Sequence, residues 1–316
     1  MKKILVTGCF GFIGFNFIKS LPKNLEVYAV DLKNNLKEEQ KERRRELKKL
    51  KEIKFINLDI SSENDVKKKL GHIRFDYIVH LAAKAGVRAS MKDPDLYFKT
   101  NIIGFRNIIN LCLIKKPEKL IYASSSSVYS CDNYPVSENS NSSFQTSFYA
   151  KTKKINEQLA EEYSKIFNVN IIGLRFFSVY GPWGRRDMAP FIFLDSIMKN
   201  KKIYLNNSGK NLRDFTYIGD VTMALNSLLK TPLPQGHSIF NICSGKTYLV
   251  SDLLLALQKK VGRSAKIINR KSNPLDVYKT HGTSKKIEKA LGCKIEFSLE
   301  NGIVEFIDWY KKNVFK

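Results

Sequence analysis

The sequence lacks the features of a membrane-spanning protein and of a disulfide-stabilised one. No apolar run approaches the ~20 residues that a transmembrane helix needs, so membrane insertion is not expected. There are only five cysteines, an odd number without a Cys-x-x-Cys pair, and the four histidines are equally dispersed. The pattern argues against a disulfide framework and a metal site, and it favours reduced thiols in a cytoplasmic protein.

Acidic residues are scarce relative to basic ones, with 30 Asp and Glu against 54 Lys and Arg and a net charge of +24. Basic proteins bind nucleic acids, anionic membrane surfaces or anionic small molecules. The charge is spread along the chain and is densest at residues 37–54, where a solvated helix is the expected structure. No nucleic-acid-binding motif occurs, so a nucleic-acid partner is not expected.

Short apolar segments alternate with helical ones through the first half of the chain. The predicted strands are residues 4–7, 26–31, 54–60, 77–82 and 120–124, with a helix at 12–21 after the first strand. Such alternation predicts an α/β fold with a doubly wound parallel sheet of the Rossmann type. From about Tyr180 the pattern becomes less regular, and helices are predicted at residues 190–200, 220–229, 251–261 and 284–291. A smaller C-terminal α/β domain is therefore expected to bind substrate with the first domain.

A glycine-rich turn joins the first predicted strand to the first predicted helix. Glycine permits a tight turn and close approach of a pyrophosphate, and the helix N-terminus offers free N–H groups and a positive dipole end. The sequence therefore predicts a dinucleotide site with contacts from Gly8, Gly11, Phe12, Ile13 and Gly14. The alternative is a cluster of glycines that serves packing alone.

An acidic residue follows at the spacing that dinucleotide-binding folds use. Asp31 ends the second predicted strand, 17 residues past Gly14, where it would accept hydrogen bonds from the adenosine ribose. Its charge would repel a 2′-phosphate, which favours NAD over NADP; the alternative is a loop-capping aspartate. Asp59 and Ile60 end the third predicted strand and are predicted to contact the adenine.

Tyr149 and Lys153 are four residues apart and would lie on one face of a helix, one turn apart. A tyrosine has a pKa near ~10, which a nearby ammonium and a positively charged nicotinamide would lower. The pair could therefore supply a general base that removes a proton from a sugar hydroxyl. Four serines at residues 124–127 follow a predicted strand and suit polar contact to a sugar or nicotinamide, although a bland serine-rich loop would look similar.

Several longer motifs accompany these residues. The general ones are HLAA at residues 80–83, Asn101 with Gly104, and SSSSVY at 124–129. More specific are AGVR at 85–88, RFFSVYGPWGRRDMA at 175–189 and RDFTYI at 213–218. On these motifs, from Lys3 to about Lys311, the sequence resembles the extended short-chain dehydrogenases, and within them the UDP-glucuronate 4-epimerases.

The resemblance implies C4 epimerisation of a UDP-sugar, with UDP-glucuronate to UDP-galacturonate as the best match, through a transient 4-keto sugar. Tightly held NAD would take and return the hydride while Tyr149 serves as the base. Lys153 would bind the nicotinamide ribose, and Ser125 would hydrogen-bond the sugar O4. Residues 1–179 would form the NAD-binding domain, with a strand and helix from about 214–245 returning to it, and 180–316 would be mainly the substrate domain.

The resemblance also implies further contacts. Arg213 would contact the UDP phosphates. The cofactor would be lined by Leu81, Ala82 and Ala83, and the sugar carboxylate would be held by candidates Arg88, Ser126, Ser178 and Arg185. A homodimer would form through helices at about residues 100–113 and 149–167.

Two related reactions are disfavoured by the residues present. The 4,6-dehydratases carry an Asp-Glu pair where this chain has Ser126 and Ser127, and UDP-glucuronate decarboxylases carry a glutamate at Ser127. The chain departs from the epimerase pattern at four positions: Arg186 replaces a proline, Ser130 a glycine, Gly219 an aspartate and Ser178 a threonine. The alternatives left open are a UDP-glucose or UDP-N-acetylglucosamine 4-epimerase and a non-catalytic NAD-binding scaffold.

Overall fold

A computed structural model of the protein describes residues 1–50, 52–130, 133–272, 276–295 and 298–315, so Cys131 lies outside the described residues. The strands are β1 (Lys2–Thr7), β2 (Leu25–Asp31), β3 (Ile53–Asn57), β4 (Tyr77–His80), β5 (Lys119–Ser125), β6 (Ile171–Phe176), β7 (Ser178–Tyr180), β8 (Lys202–Asn206), β9 (Leu212–Arg213), β10 (Phe215–Tyr217), β11 (His237–Ile242), β12 (Tyr248–Leu249) and β13 (Lys266–Arg270).

Helices alternate with these strands. They are α1 (Phe12–Ser20), α2 (Glu38–Leu47), α3 (Glu63–Leu70), α4 (Val87–Ser90), α5 (Pro94–Tyr97), α6 (Gly104–Lys115), α7 (Phe148–Phe167), α8 (Ala189–Met198), α9 (Ile218–Lys230), α10 (Val250–Val261), α11 (Lys285–Leu291) and α12 (Leu299–Asn313). A π-helical segment, Phe98–Ile103, leads into α6. Within the described ranges, no helix has the length and apolar character needed to cross a bilayer.

Seven parallel strands form the main sheet, in the order β11-β6-β5-β4-β1-β2-β3. The predicted Rossmann-type α/β fold is confirmed. The chain runs outward on one side of β1, through β2 to β3. It then crosses to the other side of β1, where β4 begins, so the strand order reverses between β1 and β4. Ligands of such sheets bind beyond the carboxyl ends of the strands at this switch point.

Both faces of the sheet are covered by apolar side chains, as parallel sheets require. In β1, Ile4 and Val6 pack into one core cluster and Leu5 into the other. The first cluster includes α1 and α9, and the second lies against α3 and α6. Because successive side chains of β1 point to opposite faces of the sheet, they pack against helices on both faces.

The chain after residue 214 contributes to both parts of the molecule. β11 pairs in parallel with β6 at the edge of the main sheet, and α9 packs against α1. Three two-stranded sheets, β7 with β10, β9 with β12 and β8 with β13, stand outside the main sheet with α8, α10 and α12 nearby.

Two predictions about local structure were wrong. The third strand ends at Asn57 rather than at residue 60, and Asp59 lies beyond it because its carboxylate accepts hydrogen bonds from the Ser61 N–H (2.9 Å) and hydroxyl (2.7 Å). The basic segment at residues 37–54 was expected to form a solvated helix. Instead α2 is shorter than the charged run, and its Arg43 is only 2% exposed because carbonyl groups surround its guanidinium.

Candidate active site

The glycine-rich turn lies at the switch point, between β1 and α1. Gly8 adopts φ +76°, and a Cβ there would stand 2.6 Å from the backbone nitrogen of Ala82. A Cβ on Gly14 would collide with the Gly8 carbonyl oxygen. No side chain caps the N-terminus of α1, so its first N–H groups remain available to an anion. The turn therefore has the shape and polarity of a pyrophosphate cradle.

Asp31 stands at the carboxyl end of β2, beside this turn. Its carboxylate accepts hydrogen bonds from the N–H groups of Phe10 (2.8 Å) and Leu32 (2.9 Å). Burial raises the pKa of Asp31 to about 6. The segment after β3 runs alongside, since the Leu58 N–H bonds the Asp31 carbonyl, but the Ile60 side chain is buried in the core.

The segment after β4 forms the other wall of the cradle. The Thr7 hydroxyl bonds the His80 Nδ1 at 2.8 Å and accepts a hydrogen bond from the Ala82 N–H at 3.3 Å. Leu81, Ala82 and Ala83 are thereby held beside the glycine turn. Burial lowers the pKa of His80 to about 3, so this imidazole is neutral at pH 7.

Asn101 fastens the same segment to α7. Its side-chain amide accepts a hydrogen bond from the Lys84 N–H and donates to the Lys84 carbonyl, at 2.8 and 3.0 Å. The amide nitrogen also lies 3.1 Å from the Thr152 hydroxyl. The π-helical geometry of Phe98–Ile103 thus places a buried amide between the cofactor-side wall and the helix that carries Tyr149.

Tyr149 and Lys153 lie one turn apart on α7. Ser147 caps the start of this helix, since its hydroxyl accepts a hydrogen bond from the Ala150 N–H. The Lys153 ammonium donates to the Ala123 carbonyl at 2.8 Å, and burial lowers its pKa to about 8. Burial raises the pKa of Tyr149, while a hydrogen bond with Ser125 and the charge of Arg185 lower it. The predicted spacing therefore does bring tyrosine, lysine and serine together.

Glu157 is a buried member of this group that was not singled out from the sequence. It accepts hydrogen bonds from the Ser124 hydroxyl (2.6 Å) and from two nitrogens of Arg175 (both 2.8 Å). These bonds to Glu157 hold α7 against β5, which carries Ser124, and against β6, which carries Arg175. Both strands end at the site. A signal existed, because positions 149, 153 and 157 repeat every four residues and share one helix face.

The sugar-side candidates gather at the neighbouring strand ends. Ser125 ends β5 and Ser126 follows it. Ser178 begins β7 just after β6, whose Phe176 is in register with Ser125. Arg185 pairs with Asp187 through two hydrogen bonds of 2.9 and 2.6 Å. Its guanidinium also faces Gly86, where a Cβ would be 3.8 Å from Nη2. A cation thus stands near Tyr149 with its own counter-ion.

Arg88 and Arg213 lie by a C-terminal segment. Arg88 forms a two-bonded ion pair with Asp276, at 2.6 and 2.7 Å. Arg213 donates to the carbonyls of Leu212 (2.8 Å) and Tyr278 (3.1 Å), and the Asp276 charge acts on it. Asp276 was not singled out from the sequence, because nothing in a chain separation of 188 residues signals this pairing.

The described residues contain no group of three or more His, Cys, Asp or Glu side chains suited to a metal ion. Cys9, Cys112, Cys243 and Cys293 are free thiols. The described residues therefore bring together a glycine turn with an uncapped helix start, a buried carboxylate, the group of Tyr149, Lys153 and Ser125, and several arginines.

Comparison with known proteins gives consistent results. The model of the NAD-dependent epimerase/dehydratase family matches residues 4–243. An uncharacterized protein of Methanocaldococcus jannaschii is 39% identical over 99% of this chain and 97% of its own length. The UDP-glucuronate 4-epimerase of Thermodesulfobacterium geofontis is 34% identical over 99% and 98%. The crystal structure of the Bacillus cereus UDP-glucuronic acid 4-epimerase, with UDP-glucuronic acid and NAD, has a TM-score of 0.91 at 32% identity and covers 98% of this chain and 99% of that one.

Proposed function

The chain belongs to the NAD-dependent epimerase/dehydratase family of extended short-chain dehydrogenases, and we propose that it is a 4-epimerase converting UDP-glucuronate to UDP-galacturonate. The observation that carries the proposal is that Tyr149, Lys153 and Ser125 meet at the carboxyl end of β5, two strands from the glycine turn, with Arg185 beside them. The relatives named UDP-glucuronate 4-epimerase support the substrate.

The residues present fit NAD. Gly8 and Gly14 allow a tight turn, because a Cβ at either position would strike neighbouring backbone, and the uncapped start of α1 suits a pyrophosphate. Asp31 would accept hydrogen bonds from the adenosine ribose, with Asp59 and Ile60 nearby on the adenine side. Leu81, Ala82 and Ala83 would line the cofactor, and Lys153 would bind the nicotinamide ribose. Bound NAD would supply a hydride acceptor and donor, so the sugar passes through a 4-keto state without net redox change.

In the proposed mechanism, Tyr149 takes the proton of the C4 hydroxyl and later returns it to O4. Burial leaves the pKa of Tyr149 above its usual value, and the Ser125 hydroxyl and the Arg185 charge oppose this effect. Ser125 also hydrogen-bonds O4. Because Tyr149 is anchored through its own N–H to the Ser90 hydroxyl at 2.9 Å, the start of α7 is fixed to α4.

We assign the hexuronate carboxylate to Arg185, with Ser126, Ser178 and Arg88 as further donors. A guanidinium binds a carboxylate through two parallel hydrogen bonds, which a neutral hydroxymethyl group does not offer. Arg213 would contact the UDP phosphates from the opposite side. Ser126 and Ser127 provide no carboxylic acid for water loss or for protonating a decarboxylated carbanion, which leaves epimerisation.

The same geometry suits a UDP-glucose or UDP-N-acetylglucosamine 4-epimerase less well, because Arg185 would then face no anion on the sugar. A non-catalytic scaffold would have no need of a tyrosine beside a buried lysine and a buried serine. We therefore keep the neutral sugars as the second candidate substrates.

We also propose the roles of the two domains, the oligomeric state and the cellular location of the enzyme. Residues 1–179, with β11 and α9, would bind NAD, and 180–316 would mainly bind the UDP-sugar. The ends of α6 and α7 expose Ile114, Ile166 and Phe167, which supports a homodimer through these helices. Free thiols support a cytoplasmic enzyme, and a UDP-hexuronate product suits polysaccharide biosynthesis.

The test is a substrate panel. Purified protein is incubated with UDP-glucuronate, UDP-glucose or UDP-N-acetylglucosamine, and the products are separated by anion-exchange chromatography. We expect UDP-galacturonate from UDP-glucuronate and little product from the other two. Preferential turnover of a neutral sugar would replace the proposed substrate, and no turnover of any sugar would support the scaffold.

A further inference from the structure

Arg43 is a buried cation in the basic helix α2. It is 2% exposed, whereas its neighbours Lys41 and Arg45 on α2 are exposed. Burying a guanidinium is costly unless its N–H groups are hydrogen-bonded. The partners of Arg43 therefore indicate why the residue is placed there.

All the hydrogen bonds found for Arg43 go to backbone carbonyls of two loops. Nη1 donates to the Phe10 carbonyl at 3.0 Å, inside the glycine turn. Nε and Nη2 donate to the Trp183 carbonyl at 3.1 and 2.8 Å, and Nη2 is also 3.2 Å from the Gly184 carbonyl. One planar group thus fastens the pyrophosphate cradle to the loop that ends in Arg185.

The same two loops are joined by further contacts. Arg186 pairs with Glu42, the neighbour of Arg43, at 2.5 Å. The Asn16 side-chain amide on α1 donates to the Pro182 carbonyl at 3.2 Å.

The conformation of Trp183 is also held in place. It adopts φ +63°, which is unfavourable for a bulky residue. Its ring packs against Phe15 on α1 at 4.8 Å and against Trp309 on α12 at 5.3 Å between centroids. The loop before Arg185 is therefore set by contacts that begin at the cofactor turn.

We propose that Arg43 couples the binding of the cofactor to the binding of the UDP-sugar. The inference rests on the proposed function. Pyrophosphate binding fixes the glycine turn, Arg43 transmits that position to the Trp183–Gly184 carbonyls, and Arg185 is thereby aimed at the sugar. Arg43 bonds backbone carbonyls of these loops, so it is a positioning residue.

The test compares UDP-glucuronate affinity with and without NAD. Tyr149→Phe is the parent, because it stops turnover during the titration. Calorimetric titration of UDP-glucuronate is carried out on protein freed of nucleotide and on protein saturated with NAD. The variants are Arg43→Met and Arg43→Lys, and the matched control is Arg45→Met, from the exposed face of α2.

In the parent and the Arg45→Met control, we expect NAD to raise UDP-glucuronate affinity at least ~5-fold, and this ratio to fall below ~2-fold in Arg43→Met. Arg43→Lys should also lose coupling, since one ammonium does not replace the planar fork. If thermal melting shows that Arg43→Met is unfolded, the affinity ratio of Arg43→Lys tests the proposal instead.

A purely structural role would weaken both affinities together and leave the ratio at the parent's value, which would overturn the inference. So would a parent that binds UDP-glucuronate equally well with and without NAD. A parent that does not bind UDP-glucuronate in either form would instead overturn the proposed function, and the inference with it.

Discussion

The Lys153 ammonium lies 6.0 Å from the centroid of the Tyr149 ring and donates a hydrogen bond to the Ala123 carbonyl at the end of β5. The lysine is therefore tethered to the sheet. The groups that lower the pKa of Tyr149 are the Ser125 hydroxyl and the Arg185 guanidinium. Activation of the base thus depends on residues from β5 and from the loop after β7 as well as on the helix pair.

Tyr149→Phe should retain the fold and NAD binding but lose roughly 10²- to 10⁴-fold in turnover, because the proton acceptor for the C4 hydroxyl is gone. Turnover is measured by chromatography of the UDP-sugars, and folding by thermal melting. Near wild-type activity in a preparation free of wild-type enzyme would remove Tyr149 from the mechanism.

The affinity for NAD should depend on pH through Asp31. The pKa of this carboxyl is about 6 in the cofactor-free protein, and hydrogen bonds from ribose hydroxyls favour the ionised form. NAD must then displace a proton below pH 6, so its Kd should rise by up to about tenfold per pH unit there and stay level above it.

Asp31→Asn is the matched variant for that experiment. Its NAD affinity should be independent of pH across the same range, and its preference for NAD over NADP should shrink because no carboxylate repels the 2′-phosphate. Calorimetric titration measures the affinities for NAD and for NADP at each pH. Equal affinities for NAD and NADP in the unchanged protein would show that Asp31 does not face the ribose.

Arg185→Ala should lose ~1.5–3 kcal/mol of stabilisation toward UDP-glucuronate, as expected for a charged hydrogen bond. This corresponds to roughly 10- to 150-fold in kcat/KM. Turnover of neutral UDP-glucose should suffer less, because it loses only the effect of the Arg185 charge on Tyr149. An equal loss on both sugars would mean that Arg185, already paired with Asp187, serves Tyr149 or the loop, and it would weaken the hexuronate assignment.

Asp276→Asn should tighten UDP binding. The Asp276 carboxylate pairs with Arg88, which is half exposed, and its charge also acts on Arg213. It therefore competes with the sugar carboxylate for Arg88 and with the diphosphate for Arg213. A partly exposed pair is worth ~1 kcal/mol at most, which limits the gain to about fivefold. Asp276→Glu serves as the charge-retaining control. Weaker binding of UDP by Asp276→Asn would show that the carboxylate orients Arg213 for the phosphates.

Much of the fold was predictable because alternating apolar strands and helices directly specify a parallel sheet. Tyr149 and Lys153 were predictable for a related reason, since a spacing of four fixes their relation within one helix. The wrong end of β3 reflects a local effect, the capture of Asp59 by Ser61, that hydrophobic patterning does not encode.

Contacts between distant segments were not predictable from pattern. Arg43 looks like any other residue of a basic run, and its burial depends on carbonyls of residues 10, 183 and 184 that only the fold brings together. Asp276 is likewise paired with a residue 188 positions away.

The central claim is that the C4 hydrogen leaves the sugar and returns to the opposite face within one turnover. UDP-glucuronate labelled with deuterium at C4 tests it most directly, with the product isolated and examined by NMR. We predict UDP-galacturonate that retains deuterium at C4, with none transferred to solvent. Loss of the label from C4, or a product with unchanged C4 configuration, would contradict the proposed mechanism.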